Sequence, residues 1–187
     1  MLKSELVLLE VLRGAKKQKE MAGRLGISLG TVNNALKPLR RMGAIQQKRF
    51  GLELVDREKA LLYWASTRNL QKDVVYKTFS GKGVKETEKT IPSGAVFTAY
   101  TAFRIEFGET PADYSEVYVY ADEETLKEIR KRFPEKNGPA NLTVLAKPEK
   151  IEGRTAPPEL VFVDLWNIKE WYAKEFLKAL KQKMGLD

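Results

Sequence analysis

Ala22-Gly23-Arg24-Leu25-Gly26-Ile27-Ser28-Leu29-Gly30-Thr31-Val32 decides the fold of the first part of the chain. Ala22 is small where two helices have to approach closely, and Gly26, four residues on, accepts the positive φ of a tight turn between them. Ile27 plugs that turn. The Ser28 hydroxyl is placed to accept from a backbone N–H at the start of the next helix. Downstream, Val32, Leu36 and Leu39 make the buried stripe of a helix expected over Leu29–Met42. Upstream, Met21, Ala22 and Leu25 make the inner face of a helix over Gln18–Leu25. Leu2, Leu6, Leu9 and Leu12 recur at three- and four-residue spacing for a first helix, which Gly14 ends.

The order small residue, Gly, apolar residue, Ser and Val at these spacings resembles the helix-turn-helix pattern. The third helix then has the composition of a recognition helix. Ser28 and Thr31 stand at its start, and Asn33, Asn34, Lys37, Arg40 and Arg41 lie off the apolar stripe. Asn bonds bidentately to adenine in the major groove, and Lys and Arg reach guanine or phosphate. A helical protein-interaction module with a merely soluble outer face is the bland alternative. Pro38 removes a backbone donor and is expected to kink the helix beyond its base-reading end. After Met42-Gly43 the period changes to that of two short strands, Ala44–Arg49 and Leu52–Val55, around Phe50-Gly51. This is a β-wing, with Lys48 and Arg49 at its tip for phosphate or minor-groove contact.

Charge agrees with this reading. The 187 residues carry a net +8, but residues 1–57 hold 12 basic and 5 acidic side chains, a net +7, and residues 58–187 hold 21 and 20, a net +1. A basic excess confined to one segment marks a surface that faces a polyanion. There is no Cys and no His, which removes disulfides, the usual zinc sites, thiol nucleophiles and histidine-based acid–base chemistry. No apolar run reaches the length of a membrane span and no signal peptide is visible, so a cytoplasmic protein is expected.

The remainder reads as a mixed α/β domain of about four strands, which makes the whole chain α+β. Residues 1–57 are the winged helix-turn-helix, 58–73 a linking helix carrying Leu61, Leu62 and Trp64, and 74–187 the α/β domain. Strands are expected at 74–79, 116–121, 141–146 and, buried on both faces, 160–165. Helices are expected at 84–90, at 95–107, at 123–133 with Asp122 as cap, and at 168–184. The last helix is amphipathic, with Trp171, Tyr172, Phe176, Leu177, Leu180 and Met184 on one side, for core packing or a homodimer contact.

With this layout the chain resembles the AbiEi family of type IV antitoxins. The resemblance rests on the winged helix at 18–55, the Leu61-Leu62-Tyr63-Trp64 helix, the segment Ser93–Ala102, and Asp164-Leu165-Trp166-Asn167. It implies a repressor of its own operon that binds repeats in the promoter duplex. It also implies a C-terminal domain that counteracts a nucleotidyltransferase-like toxin without a stable complex. Two rivals are weaker. An enzyme acting on nucleic acid would use Asp113, Asp122 and Asp164, but Asp122 is better read as a helix cap and Asp164 as a cap or salt-bridge partner. The Gly-Ser with paired Asp-x-Asp of an active nucleotidyltransferase is missing, so no enzyme, metal or cofactor is expected. An effector-binding domain would line a pocket with Tyr100, Phe103, Tyr118, Tyr120 and Trp166, although aromatics at this spacing are more often core.

Overall fold

The computed structural model describes residues 1–186 and divides into two compact units, Met1–Arg68 and Asn69–Gly185. In the first unit, α1 (Lys3–Leu12), α2 (Gln18–Leu25) and α3 (Leu29–Arg41) are followed by a hairpin of β1 (Ile45–Lys48) and β2 (Gly51–Leu54), then α4 (Arg57–Thr67). α1 packs on α2, α3 and α4. Val7, Val11, Met21, Val32, Leu36 and Leu61 are all essentially inaccessible and form its core. Leu2, expected on the inner stripe of α1, is instead an exposed residue outside the helix, at 68 %. The buried face of α1 runs through Val7, Leu8, Val11 and Leu12.

Residues 57–67 are more than a link. Ala60, Leu61, Trp64 and Ala65 of α4 are buried within the first unit. Glu5 of α1 ties both ends of this packing together. Its Oε1 accepts from Trp64 Nε1 at 3.2 Å and from Arg68 Nη1 at 2.9 Å, and its Oε2 accepts from the Leu2 amide at 2.5 Å.

The second unit begins with a 3₁₀ turn at Leu70–Asp73. Its sheet contains β3 (Val74–Thr78), β4 (Val96–Thr98), β5 (Val117–Ala121) and β6 (Leu142–Ala146) in the order β3-β6-β5-β4. β3 and β4 pair antiparallel at the two edges, and β5 and β6 pair parallel at the centre. A parallel pair needs a crossover, and α7 (Glu123–Arg132) supplies it. α5 (Val84–Thr90) precedes β4, and α6 (Ala99–Phe107) follows it. α6 packs with α8 (Pro158–Trp166) and α9 (Ala173–Lys183) against β4 and β5.

Two expectations are overturned here. The start of the helix expected at 95–107 is strand β4, which pairs Val96–Thr98 with Tyr118–Tyr120. Its outer edge is covered as well: the Phe97 amide donates to the Arg154 carbonyl at 2.9 Å, and Phe97 O accepts from the Ala156 amide at 2.8 Å. Ala99, at φ 51, then turns the chain sharply into α6. The strand expected at 160–165 is helix α8, buried on every side from Glu159 to Leu165. Both segments are apolar all round, so periodicity cannot tell a strand from a helix there. Pro157-Pro158, at the N-cap and first turn of α8, is the start signal that settles the second case. α9 is also shorter than expected. Trp171 lies before it and is 71 % exposed rather than on its inner side.

Asp122 caps α7, accepting from the Thr125 amide at 2.9 Å, and its other oxygen meets Lys147 Nζ at 2.8 Å. Lys147 and the Thr125 donors hold its carboxyl well below the usual carboxylate range. A depressed folded-state pKa gives stability that is present above the unfolded Asp value and is lost as pH falls below it. Asp122→Ala is therefore expected to cost about 1 kcal/mol at neutral pH, as lost N-caps do. In urea melts the difference from wild type should shrink below about pH 4.

Candidate nucleic-acid interface

α2 ends at Gly26, whose φ of 60° and ψ of 36° place it in the left-handed region, and the Ile27 amide donates back to the Ala22 carbonyl at 3.1 Å. This closes the turn that launches α3. Ser28 Oγ accepts from the Thr31 amide at 3.0 Å and lies 2.9 Å from Thr31 Oγ1, so these two side chains fix the N-terminus of α3. With Val32, Leu36 and Leu39 fully buried, the opposite face of the helix is formed by Gly30, Asn34, Lys37 and Arg41. All four are exposed. Gly30 adds no side chain to this face, so a partner backbone can approach α3 closely.

Asn33 and Arg40 sit on one flank and bond to each other, Arg40 Nη1 donating to Asn33 Oδ1 at 2.8 Å. Their polar groups are held in one arrangement, whereas Asn34, Lys37 and Arg41 face outward. α3 continues unbroken through Pro38 to Arg41. The missing Pro38 N–H leaves the Asn34 carbonyl without its helical donor, at the outward face.

The wing pairs Ile45–Lys48 with Gly51–Leu54, leaving Arg49 and Phe50 as the turn. Lys48 Nζ lies 3.2 Å from Glu53 across the hairpin, so part of its charge is already answered. Arg49 lies over the Phe50 ring, 5.3 Å from its centroid. One residue that the sequence pattern did not single out belongs here. The Leu52 amide donates to the Lys16 carbonyl at 2.7 Å, which lays the segment after Gly14 along the wing and brings Lys16 beside Lys48 and Phe50. Two consecutive lysines, Lys16-Lys17, just past a helix-ending glycine were the available signal.

Gly51 makes that approach possible. Its φ is 140°, and a Cβ there would stand 2.6 Å from the Lys16 carbonyl oxygen. Gly51→Ala is expected to unpin the wing, at about 1–3 kcal/mol for the backbone conformation alone. The check is faster amide exchange at Leu52, with the second unit unchanged.

Charge follows the same division. Residues 1–68 carry 14 basic and 6 acidic side chains, a net +8, and the 19 basic and 19 acidic residues of 69–187 cancel. Residues 14–46 match a family described as winged helix-turn-helix DNA-binding. The first unit contains a winged helix-turn-helix DNA-binding domain. The match covers α2, α3 and the first residues of β1. No curated protein and no solved structure matches the chain. No helix is long and apolar enough to cross a membrane among the described residues.

The second unit places the rival site residues apart. Asp113 is exposed and Asp122 caps α7. Asp164 is fully buried in α8, where it accepts from Thr98 Oγ1 and Tyr120 Oη, both at 2.7 Å; it is neither a cap nor at a strand end. No three His, Cys, Asp or Glu side chains come together for a metal among the described residues. Tyr100, Phe103 and Tyr120 are core residues, and the Tyr100 ring packs against Tyr114, Tyr118, Tyr172 and Phe176 at centroid distances of 4.9–6.1 Å. Trp166 is half-exposed. The cavity beside Phe103 and Leu180 measures about 10 Å³, too small for an effector.

Proposed function

We propose that the protein is a sequence-specific transcriptional regulator that represses its own promoter and serves as the antitoxin of a type IV toxin–antitoxin pair. The observation that carries the regulatory reading is the outward face of α3, Asn34, Lys37 and Arg41, in a DNA-binding unit of net +8 joined to a unit of no net charge. Asn34, Lys37 and Arg41 read base edges. Ser28, Thr31, Asn33 and Arg40 hold the helix and meet flanking phosphates, and Lys48 and Arg49 bind the backbone beside the wing. Occupation of paired promoter repeats fits two copies of the chain. The protein is a cytoplasmic binder, not a catalyst. The antitoxin role rests on the resemblance to the AbiEi family, in which the second unit counteracts a nucleotidyltransferase-like toxin without a stable complex.

Footprinting on the DNA upstream of its own gene tests the regulatory part: two short repeats should be protected, and protection no better than on random DNA refutes it. Co-expression with an adjacent nucleotidyltransferase tests the antitoxin part. Growth should be restored, and continued growth arrest would leave a regulator without that role.

A further inference from the structure

We propose that Phe50 is an apolar wedge that enters the minor groove and unstacks a base step, so that the wing bends the DNA it touches. This rests on the DNA-binding reading above and adds an activity to it. Phe50 is 80 % exposed, more than any other large apolar side chain among the described residues. It has no place in the core, and the turn does not call for it. Arg49 and Phe50 fill a two-residue hairpin turn, where Asn, Asp and Gly are favoured because they accept positive φ. Neither residue has a positive φ.

The ring is nevertheless held in place. Gly51, next to it, lies against the Lys16 backbone, and the Leu52 amide bonds to the Lys16 carbonyl, so the hairpin is anchored directly below its tip. Cations surround the ring: Arg49 stacks over it, and Lys16 and Lys48 border the same groove. An isolated exposed phenylalanine has little use among such charges on a protein-binding or membrane face. On DNA the two features act together. The cations hold the phosphates on either side of the groove, while the ring takes the position of a stacking partner, as apolar wedges do in proteins that kink the duplex.

The test uses the full chain and duplexes of its own upstream DNA, with 2-aminopurine placed in turn at each pyrimidine–purine step. Wild type should brighten the probe several-fold at one step beside the recognition-helix site. Phe50→Leu, which keeps an apolar wedge, should retain most of that signal. Phe50→Ala should lose it and bind roughly tenfold more weakly, with the salt dependence unchanged because no cation is removed. Unaltered binding and brightening in Phe50→Ala would overturn the wedge. So would specific wild-type binding that brightens no step, and that result would leave the regulatory reading standing. Wild type that fails to prefer its own DNA would overturn both.

Discussion

Replacing Asn34, Lys37 and Arg41 together by Ala should abolish the preference for the specific site while leaving the fold intact. All three are exposed on the face of α3 opposite Val32, Leu36 and Leu39, so their removal opens no cavity. Removing one bidentate bond to a base costs about 1–3 kcal/mol on the correct sequence, and removing Lys37 and Arg41 weakens binding to every sequence. Affinity for the specific duplex should therefore fall by roughly three orders of magnitude, and affinity for random DNA by far less. Asn33→Ala makes the contrast. Its amide oxygen is occupied by Arg40, so it should act by freeing Arg40 and cost less than Asn34→Ala. Equal losses for the two single variants in a gel-shift titration would mean that the helix docks on its flank.

Glu5→Ala should destabilise the first unit by about 3–5 kcal/mol, the usual penalty for removing one partner of a buried ion pair. The Arg68 side chain is fully inaccessible, and Glu5 is its carboxylate, 2.9 Å away. The same substitution removes the acceptor of Trp64 Nε1 and of the Leu2 amide. Trp64→Phe loses only the indole donor and should cost nearer 1 kcal/mol. Urea denaturation of the two variants separates the effects. A small effect of Glu5→Ala would mean that α1 and α4 are held by apolar packing alone.

The helix-turn-helix was legible in the sequence because its determinants are local: Gly26, Ile27 and Ser28 act on their own turn, and Asp122 on its own helix. The wing was legible from a change of period beyond Gly43. Segments buried all round were not, because β4 and α8 present apolar side chains in every direction. Long-range polar pairing was equally hidden. Glu5 and Arg68 stand 63 residues apart, and nothing near Glu5 announces a buried partner. Asp164 stood out as a carboxylate, but only the fold shows that Thr98 and Tyr120 donate to it. On α3 the sequence identified the polar residues. It could not separate the outward Asn34, Lys37 and Arg41 from the mutually bonded Asn33 and Arg40.

The central claim is that the first unit recognises DNA through α3 and the wing, and the salt dependence of binding tests it most directly. Full-length protein should be titrated with its own upstream duplex and with a scrambled one, over a range of salt, alongside Lys48→Ala/Arg49→Ala. Wild type should prefer its own duplex. The double variant should weaken both duplexes alike and lower the slope of log affinity against log salt by about one to two units, at about 0.9 per phosphate contact, with Lys48 giving the smaller share because Glu53 already faces it. Binding that shows no preference, with a slope untouched by the wing substitutions, would contradict the claim.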